Sequence, residues 1–585
     1  MDNNGTSVDT ADVSQSSHLQ SPTRLIKDPR VGQPKRCLII GGGPAGLISL
    51  HEFINPLNRT SDESVEARHI ELYERREEIG GIWYFEHDND IAKGWPAPHK
   101  NGTSTTTTDT KNGLNGNGLY ASTVTDAKHN GEVYTQADAL KDGLKPSPSS
   151  PPKISRWVSP AYHGLVGNVL PPLLQFSAMP IKQPADGLFP SMTETQQYLL
   201  DLAKPLRRYI KTKREVVSIQ PVFNNGRLKE PVRWQVKSVD WSSDDAGIET
   251  IEEWDVVIVA PGINEHPYYP PGIVGLNELL TAKSPLAMHA KTYSGPMPFV
   301  NQHNRLAIVG NGNSANDIAA HLAPLNSDGP LFRCARHEGR FAHLKDDRIV
   351  DVAALSSISP SDDGSTATLT LTDGQVLPNI TKVIFATGYQ FDLPWIRVPP
   401  VIGLDCIPDL SQVAQSDLQA VSKHGAIPFI HEQTFLATAP TLCFVGLPTC
   451  SIPLPLAEIQ ARIASRVYHN TLDLPANDAA GFLAEFRARC KELGLKEDDS
   501  TNWRLLHFKR GPEERRHTAY LLDLLEKGQE GSSEGLYRWD ERRETIAKGM
   551  RGVKEGELRR LRDARVAAGG VDGGPGGVLA IGNGV

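Results

Sequence analysis

Short apolar runs recur along this chain, and the most informative of them break into turns of small residues. Leu38 to Leu50 reads LIIGGGPAGLISL, an apolar run interrupted by three glycines and a proline before apolar residues resume. That pattern predicts a buried strand over Arg36 to Ile40 and a helix beginning near LISL. Leu306 to Ala319, LAIVGNGNSANDIA, repeats it and predicts a second strand from Arg305 to Val309. Three further runs read as buried strands. ARHIELYER ends in Glu74, Val256 to Ala260 precedes Pro261 and Gly262, and Val383 to Phe385 precedes Ala386, Thr387, Gly388 and Tyr389. LFPSMTETQQYLLDLAKPL predicts a capped helix, with Ser191 near its start and Glu194 three residues on.

Other stretches carry little apolar material. Residues 1–33 are polar and rich in Ser and Thr, and between about residues 88 and 153 lie TSTTTTDT, NGLNGNG and KPSPSSPPK. These segments are expected to stay outside any packed core, the second as a surface insertion. Near the far end RGVKEGELRRLRDAR predicts a charged, exposed helix, followed by the flexible AAGGVDGGPGG.

Composition narrows the field. At 585 residues and 39% hydrophobic content the chain has room for several domains. A net charge of -8 argues against a phosphate-backbone partner, so no nucleic acid is expected. Six scattered cysteines suit neither a disulfide framework nor a metal site. Cys443 and Cys450 stand seven apart and no C-x-x-C occurs, which removes a flavin reductase working through a cysteine pair. No transmembrane run and no secretory leader are evident, so a cytoplasmic location is expected.

Both glycine turns have the spacing of a dinucleotide cradle, Gly41-x-Gly43-x-x-Gly46 and Gly310-x-Gly312-x-x-Ala315. The first small residue permits a tight turn, the second lets pyrophosphate approach the backbone, and the third lets helix pack on strand. After the first, Glu74 stands where a carboxylate could accept from ribose hydroxyls, although it lies 28 residues past Gly46. After the second, PLFRCARHEGR offers Arg333, Arg336, His337 and Arg340 in place of an acid. Arginine pairs with a ribose 2′-phosphate where a carboxylate would repel it, so this cradle is expected to prefer NADPH.

Past Glu74 and Arg75 comes EEIGGIWYF, with Gly80, Gly81 and Trp83; here the chain resembles the flavin-containing monooxygenase family, which carries E-R followed by G-G-x-W. The likeness extends over about Lys35 to Leu525 and takes in F-A-T-G-Y at Phe385 to Tyr389. It implies an α/β fold with two Rossmann-like dinucleotide-binding domains, the NADPH domain (270–395) inserted into an FAD domain (34–269 and 396–530), with residues 531–585 as a C-terminal helix and tail. By the same likeness FAD contacts Gly41, Gly43, Pro44, Ala45, Gly46, Glu74, Arg75, Gly81, Ile82, Trp83, Asn168 and Val217, while NADPH contacts Gly310, Gly312, Asn313, Ser314, Ala315 and Arg336.

The resemblance also assigns catalytic positions. Asn168, in SPAYHGLVGNVLPPLLQF, matches an asparagine close to the flavin ring, although a loop asparagine can equally serve a turn. KSPLAMHAKTY keeps His289 and Tyr293 of the motif F-x-G-x-x-x-H-x-x-x-Y/F/W but has Lys283 and Pro285 for its Phe and Gly. His289 therefore reads either as a residue near the nicotinamide or as a buried structural histidine. Tyr293 in place of Trp leans towards heteroatom oxygenation. The implied reaction is NADPH reduction of FAD, addition of dioxygen to give a flavin hydroperoxide, and transfer of one oxygen atom to a small organic substrate, with nitrogen or sulfur favoured. Fungal members suggest a tailoring step in specialised metabolism. Baeyer–Villiger oxygenation of a ketone and a non-oxygenating NADPH-binding flavoprotein are the alternatives.

Overall fold

The computed structural model describes residues 31–32, 34–55, 69–84, 157, 159–162, 165–182, 184, 189–243, 247–336, 344–400, 409–422, 426–427, 430–474 and 511–569, with a few isolated positions near 490 and 507. The 88–153 insertion, most of the N-terminal tail and the Gly-rich end lie outside them.

In chain order, β1 (Arg36–Ile40) runs into helix α1 (Pro44–Ile54), then β2 (His69–Tyr73), helix α2 (Met192–Ala203) and β3 (Ile210–Lys211). Three antiparallel strands follow, β4 (Arg214–Pro221), β5 (Trp234–Asp240) and β6 (Ile248–Trp254), before β7 (Val256–Val259). A short strand, β8 (His266–Pro267), leads to β9 (Ala287–His289), β10 (Leu306–Val309), helix α3 (Asn313–Leu322), β11 (Leu331–Cys334) and β12 (Ile349–Val352). An antiparallel trio, β13 (Leu355–Pro360), β14 (Ala367–Leu371) and β15 (Val376–Ile380), precedes β16 (Lys382–Phe385) and the short β17 (Tyr389–Gln390). The last strands are β18 (Ile430–His431), β19 (Phe435–Leu436) and β20 (Leu442–Phe444), and the last helices are α4 (Pro453–Tyr468), α5 (Pro512–Gly528) and α6 (Glu541–Gly569).

These strands build two main sheets. A seven-stranded mixed sheet has the order β18-β19-β20-β7-β1-β2-β3, and a five-stranded parallel sheet has the order β9-β16-β10-β11-β12. Every strand of the second falls in sequence between β7 and β18 of the first. The runs read as buried strands occupy the central positions of both sheets. Continuous apolar sequence suits them because each face is covered. In the first sheet Ile39, Val256 and Ile258 pack under α1 and α4, while Leu38, Ile40, Val257 and Val259 pack against Trp234 and Trp254 of the antiparallel trio. In the second, Leu306, Ile308 and Ile384 meet Ile318 and Leu322 of α3, and Ala307, Val309 and Phe385 meet Leu369 and Leu377. Full burial of each large aliphatic side chain contributes about 1.5 to 3 kcal/mol.

Helix α2 begins as the sequence indicates. Ser191 Oγ accepts from the Glu194 amide at 3.2 Å, and Glu194 Oε2 accepts from the Ser191 amide at 2.8 Å. Helix α6 departs from its expected exposed form. Its length is polar, yet Lys554, Glu557 and Leu558, spaced three and four residues apart, are buried, with Leu558 packed on Ala320 of α3 and on Leu344. The charged pattern hid one apolar contact and two neutralised charges on a single face.

Helices α1 and α4 meet through a buried ion pair. Glu52, fully buried, accepts from Arg462 Nε at 2.9 Å and Nη2 at 3.3 Å. Arg462→Met should take the guanidinium from that buried carboxylate and lower unfolding free energy by about 3 to 5 kcal/mol, with most of the loss recovered in Glu52→Gln/Arg462→Met. Denaturant titration of the two variants reads this directly.

Candidate functional site

The two glycine turns share one hydrogen-bond scheme. The Gly41 amide donates to Tyr73 O at 2.9 Å and the Ala260 amide to Ile40 O at 2.8 Å; at the second turn the Gly310 amide donates to Cys334 O and the Ala386 amide to Val309 O, both at 2.9 Å. Gly41 has φ +104° and Gly310 φ +124°. A Cβ at Gly41 would lie 2.3 Å from Ala260 O, and one at Gly310 would lie 2.4 Å from Ala386 O. No other residue fits either position. A Cβ at Gly46 would strike Gly41 O at 1.8 Å, while Ala315, at the matching place in the second turn, is fully buried.

In front, the second turn is open and the first faces the Gly81 backbone. A Cβ at Gly312 would meet no heavy atom within 4 Å, and at Gly43 the nearest is Gly81 Cα at 3.5 Å. Helices α1 and α3 start there with no side-chain cap and no acid in the first turn, Pro44 opening α1 and Asn313 with Ser314 opening α3. Unpaired amides and the positive end of the helix dipole favour an anion at such a place. The shape and the donors fit a dinucleotide pyrophosphate at each turn.

Around the first turn, Glu74 follows β2 directly. Its Oε2 accepts from the Gly42 amide at 2.6 Å and its Oε1 from the Arg76 amide at 2.8 Å, which fixes the carboxylate while leaving lone pairs for ribose hydroxyls. The helical turn Gly81–Trp83 rests beside it, with Arg76 Nη1 donating to Gly81 O at 2.5 Å and Ser159 Oγ to Ile82 O at 2.7 Å. Trp83 packs half-buried on the core cluster to which α1 and α2 contribute. Val217 falls where the pairing of β4 with β5 shifts register, one strand from Glu74, whose carbonyl accepts from the Arg214 amide at 2.9 Å.

At the second turn, Arg336 is exposed just past β11. Arg333 is diverted to a structural task. It is 2% exposed, donating to Asp351 Oδ1 at 2.6 Å, to Asp351 Oδ2 at 2.8 Å and to Asn316 Oδ1 at 2.7 Å. His337 and Arg340 lie outside the described residues. Asn311 Oδ1 is buried without a hydrogen-bond partner among the described residues, an acceptor inside the turn that glycine spacing gave no reason to single out.

Two chain crossings join the sheets, and β8 pairs with β17 where they meet, Pro267 opposite Tyr389. Arg75 Nη2, next to Glu74, bonds Glu265 Oε2 at 2.6 Å, and Lys291 Nζ donates to Glu265 O at 2.5 Å. Burial acts to raise the Glu265 carboxyl, but Arg75 and Lys291 outweigh it and hold the group well below the usual carboxylate range. Burial pulls the Lys291 ammonium down to about 8 against the attraction of Glu265. Glu265 belongs to no motif and Lys291 fills an unspecified position between His289 and Tyr293, so neither stands out in the sequence.

His289 and Tyr293 lie near this junction rather than at the open face of a turn. His289 is fully buried, its Nε2 donating to Gly388 O at 3.0 Å and its Nδ1 accepting the Lys291 amide at 3.0 Å, with the rings of Tyr269 and Tyr389 on either side. Desolvation drives its pKa down to about 3, so the ring is neutral. Tyr293 is also fully buried, 3.2 Å from His321 Nδ1 of α3 and edge-on to Tyr162. Of the expected catalytic residues, Asn168 alone presents an uncommitted group. Its loop is tied to the segment before α2 by the Gly167 amide donating to Pro190 O at 3.1 Å, and its Oδ1 is buried without a partner among the described residues.

No family model matches the chain. The thiol-specific monooxygenase of Saccharomyces cerevisiae is 26% identical over 448 residues, covering 76% of this chain and 79% of that protein. The flavin-containing monooxygenase ustF2 of Aspergillus flavus is 22% identical over 519 residues, covering 84% and 91%. Among solved structures, the S-allyl-L-cysteine S-oxygenase of Allium sativum has a TM-score of 0.58 at 20% identity, covering 91% of this chain and 97% of that one. Among the described residues no helix is long and apolar enough to cross a membrane, and no cluster of side chains suits a metal ion.

A neutral buried His289 makes stability depend on pH. Its folded pKa, about 3, lies below the ordinary 6.5, so the stabilisation is complete above pH 6.5 and fades as pH falls towards 3. Between about pH 6.5 and about pH 4 this one group should cost about 3 kcal/mol. His289→Gln, which keeps a donor for Gly388 O but does not titrate, should show a shallower fall of unfolding free energy over that range.

Proposed function

We propose a reaction for this chain from one premise: it belongs to the flavin-containing monooxygenase family, and is a flavin-dependent monooxygenase using FAD and NADPH. Within that class we assign oxygenation of a soft nitrogen or sulfur atom on a small organic molecule. Sulfur is our first choice, supported by the name of the yeast relative. We further assign residues 34–269 and 396–530 to a Rossmann-like FAD domain and residues 270–395 to an inserted NADPH domain. The observation that carries this reading is the pair of matched turns, Gly41 and Gly310, each backed by the carbonyl of a residue that follows a central strand and each leading into a helix with no side-chain cap.

In this reading the amides of α1 hold the FAD pyrophosphate and Glu74 accepts from its ribose. Gly43, Pro44, Ala45, Gly81, Ile82, Trp83 and Val217 line the same site, and Arg75 braces it through Glu265. The amides of Asn313 and Ser314 hold the NADPH pyrophosphate, and Arg336 takes the 2′-phosphate. Bound together, the two cofactors supply the hydride and the activated dioxygen from which one oxygen atom is transferred. The chain itself excludes water and presents the Asn168 amide, which can accept and donate without changing charge. His289 stays neutral and keeps Gly388 in place, so its contribution is to position the junction. A reducing, cytoplasmic setting belongs to the same proposal, supported by the few, scattered cysteines.

The test is product analysis with a thioether, a tertiary amine and a ketone in the presence of NADPH and air. Sulfoxide or N-oxide in step with NADPH is expected. Ester from the ketone would move the enzyme to the Baeyer–Villiger reaction, and NADPH oxidation without any organic product would contradict oxygenation altogether. Asn168→Ala should retain FAD yet yield about tenfold less product per NADPH, the remainder appearing as hydrogen peroxide.

A further inference from the structure

Helix α6 carries a buried cation that neither turn uses. Lys554 is 4% exposed, and a buried ammonium is retained only where acceptors surround it. Its Nζ lies 3.4 Å from Gly167 O, 3.5 Å from Val166 O and 3.4 Å from Asp317 Oδ1, with the ring of Phe189 at 5.5 Å. Asp317 belongs to α3, the helix that starts at the second glycine turn, and its Oδ2 accepts from Tyr162 Oη at 3.0 Å. Gly167 and Val166 immediately precede Asn168.

Three elements therefore converge on one ammonium: the C-terminal helix, the helix of the second turn and the Asn168 loop. Tyr162, from the segment entering that loop, closes the same network from the other carboxylate oxygen. Earlier on α6, Ile546, Ala547 and Met550 pack on a cluster of Leu173, Ile452 and Tyr537, so the helix also reaches the residues that follow the loop. Glu557, one turn on, pairs with Arg560 at 2.6 Å.

We infer that Lys554 is a positioning residue for Asn168, holding the Val166 and Gly167 carbonyls against Asp317 so that the amide keeps a fixed place relative to the second turn. The inference rests on the proposed role of Asn168 in oxygenation, but the hold on the loop can be measured without turnover.

The experiment uses the full chain reconstituted with FAD, in the wild type, Lys554→Met, Lys554→Met/Asp317→Asn, Asn168→Ala and Asn168→Ala/Lys554→Met. Hydrogen exchange at the Leu165 and Gly167 amides, which donate to Tyr162 O and Pro190 O, reports on the loop; strands β7 and β20 report on the core. Loop exchange should quicken about tenfold or more in both Lys554 variants with the strands unchanged. Removing both charges should restore thermal stability without restoring loop protection. Product per NADPH in Lys554→Met should fall towards that of Asn168→Ala, and the combined variant should be no worse than Asn168→Ala alone. Unchanged loop exchange in the doubly neutral variant overturns the inference. So does quickening spread equally over the strands, or losses that multiply in the combined variant. A wild type that makes no product sinks the functional reading alone, since the exchange result still decides what Lys554 holds.

Discussion

Everything in this molecule depends on how two central strands end. β7 ends at Val259, and the carbonyl of the next residue, Ala260, backs Gly41; β16 ends at Phe385, and the carbonyl of the next residue, Ala386, backs Gly310. A few residues beyond each stop, the chain enters β8 or β17, and those two short strands pair with one another. The segments that shape the two turns are thus the segments that connect the sheets. Relative placement of the turns is fixed by a ribbon two residues deep and by the charges packed around it.

Those charges are arranged so that a short ribbon suffices. Glu265 sits between Arg75, beside the first turn, and Lys291, beside β9 of the second sheet. Glu265 thus has a cation on each side, one from beside each turn's sheet. The neutral His289 adds a bond to Gly388 without adding a charge that burial would penalise. The same economy of charge separates the turns chemically, since an acid follows β2 and an arginine follows β11. That difference suits an unphosphorylated ribose at one and a phosphorylated ribose at the other.

Much of this was legible in the sequence because it is local. Apolar runs of four or five residues ending in glycine require a buried strand and a tight turn, and β1, β7, β10 and β16 lie where those runs predict. The capping box of α2 is likewise a matter of three residues. What stayed hidden depends on partners far along the chain. Arg333 looked available for a phosphate until β12 brought Asp351 beside it, and α6 looked exposed until α3 covered Lys554 and Leu558. Tyr293 matched a family motif, but its hydroxyl turns towards His321 inside the second sheet's core. Asn311 offered no signal beyond standing between two glycines.

In the proposed arrangement a flavin at the Gly41 turn and a nicotinamide at the Gly310 turn are held close enough for hydride to pass. Anaerobic mixing of the FAD-loaded protein with NADPH, followed by visible absorbance, tests it in a single turnover. The yellow of the oxidised flavin should bleach completely, and faster with NADPH than with NADH at equal concentration. A protein that binds both nucleotides yet keeps its colour under those conditions would contradict it.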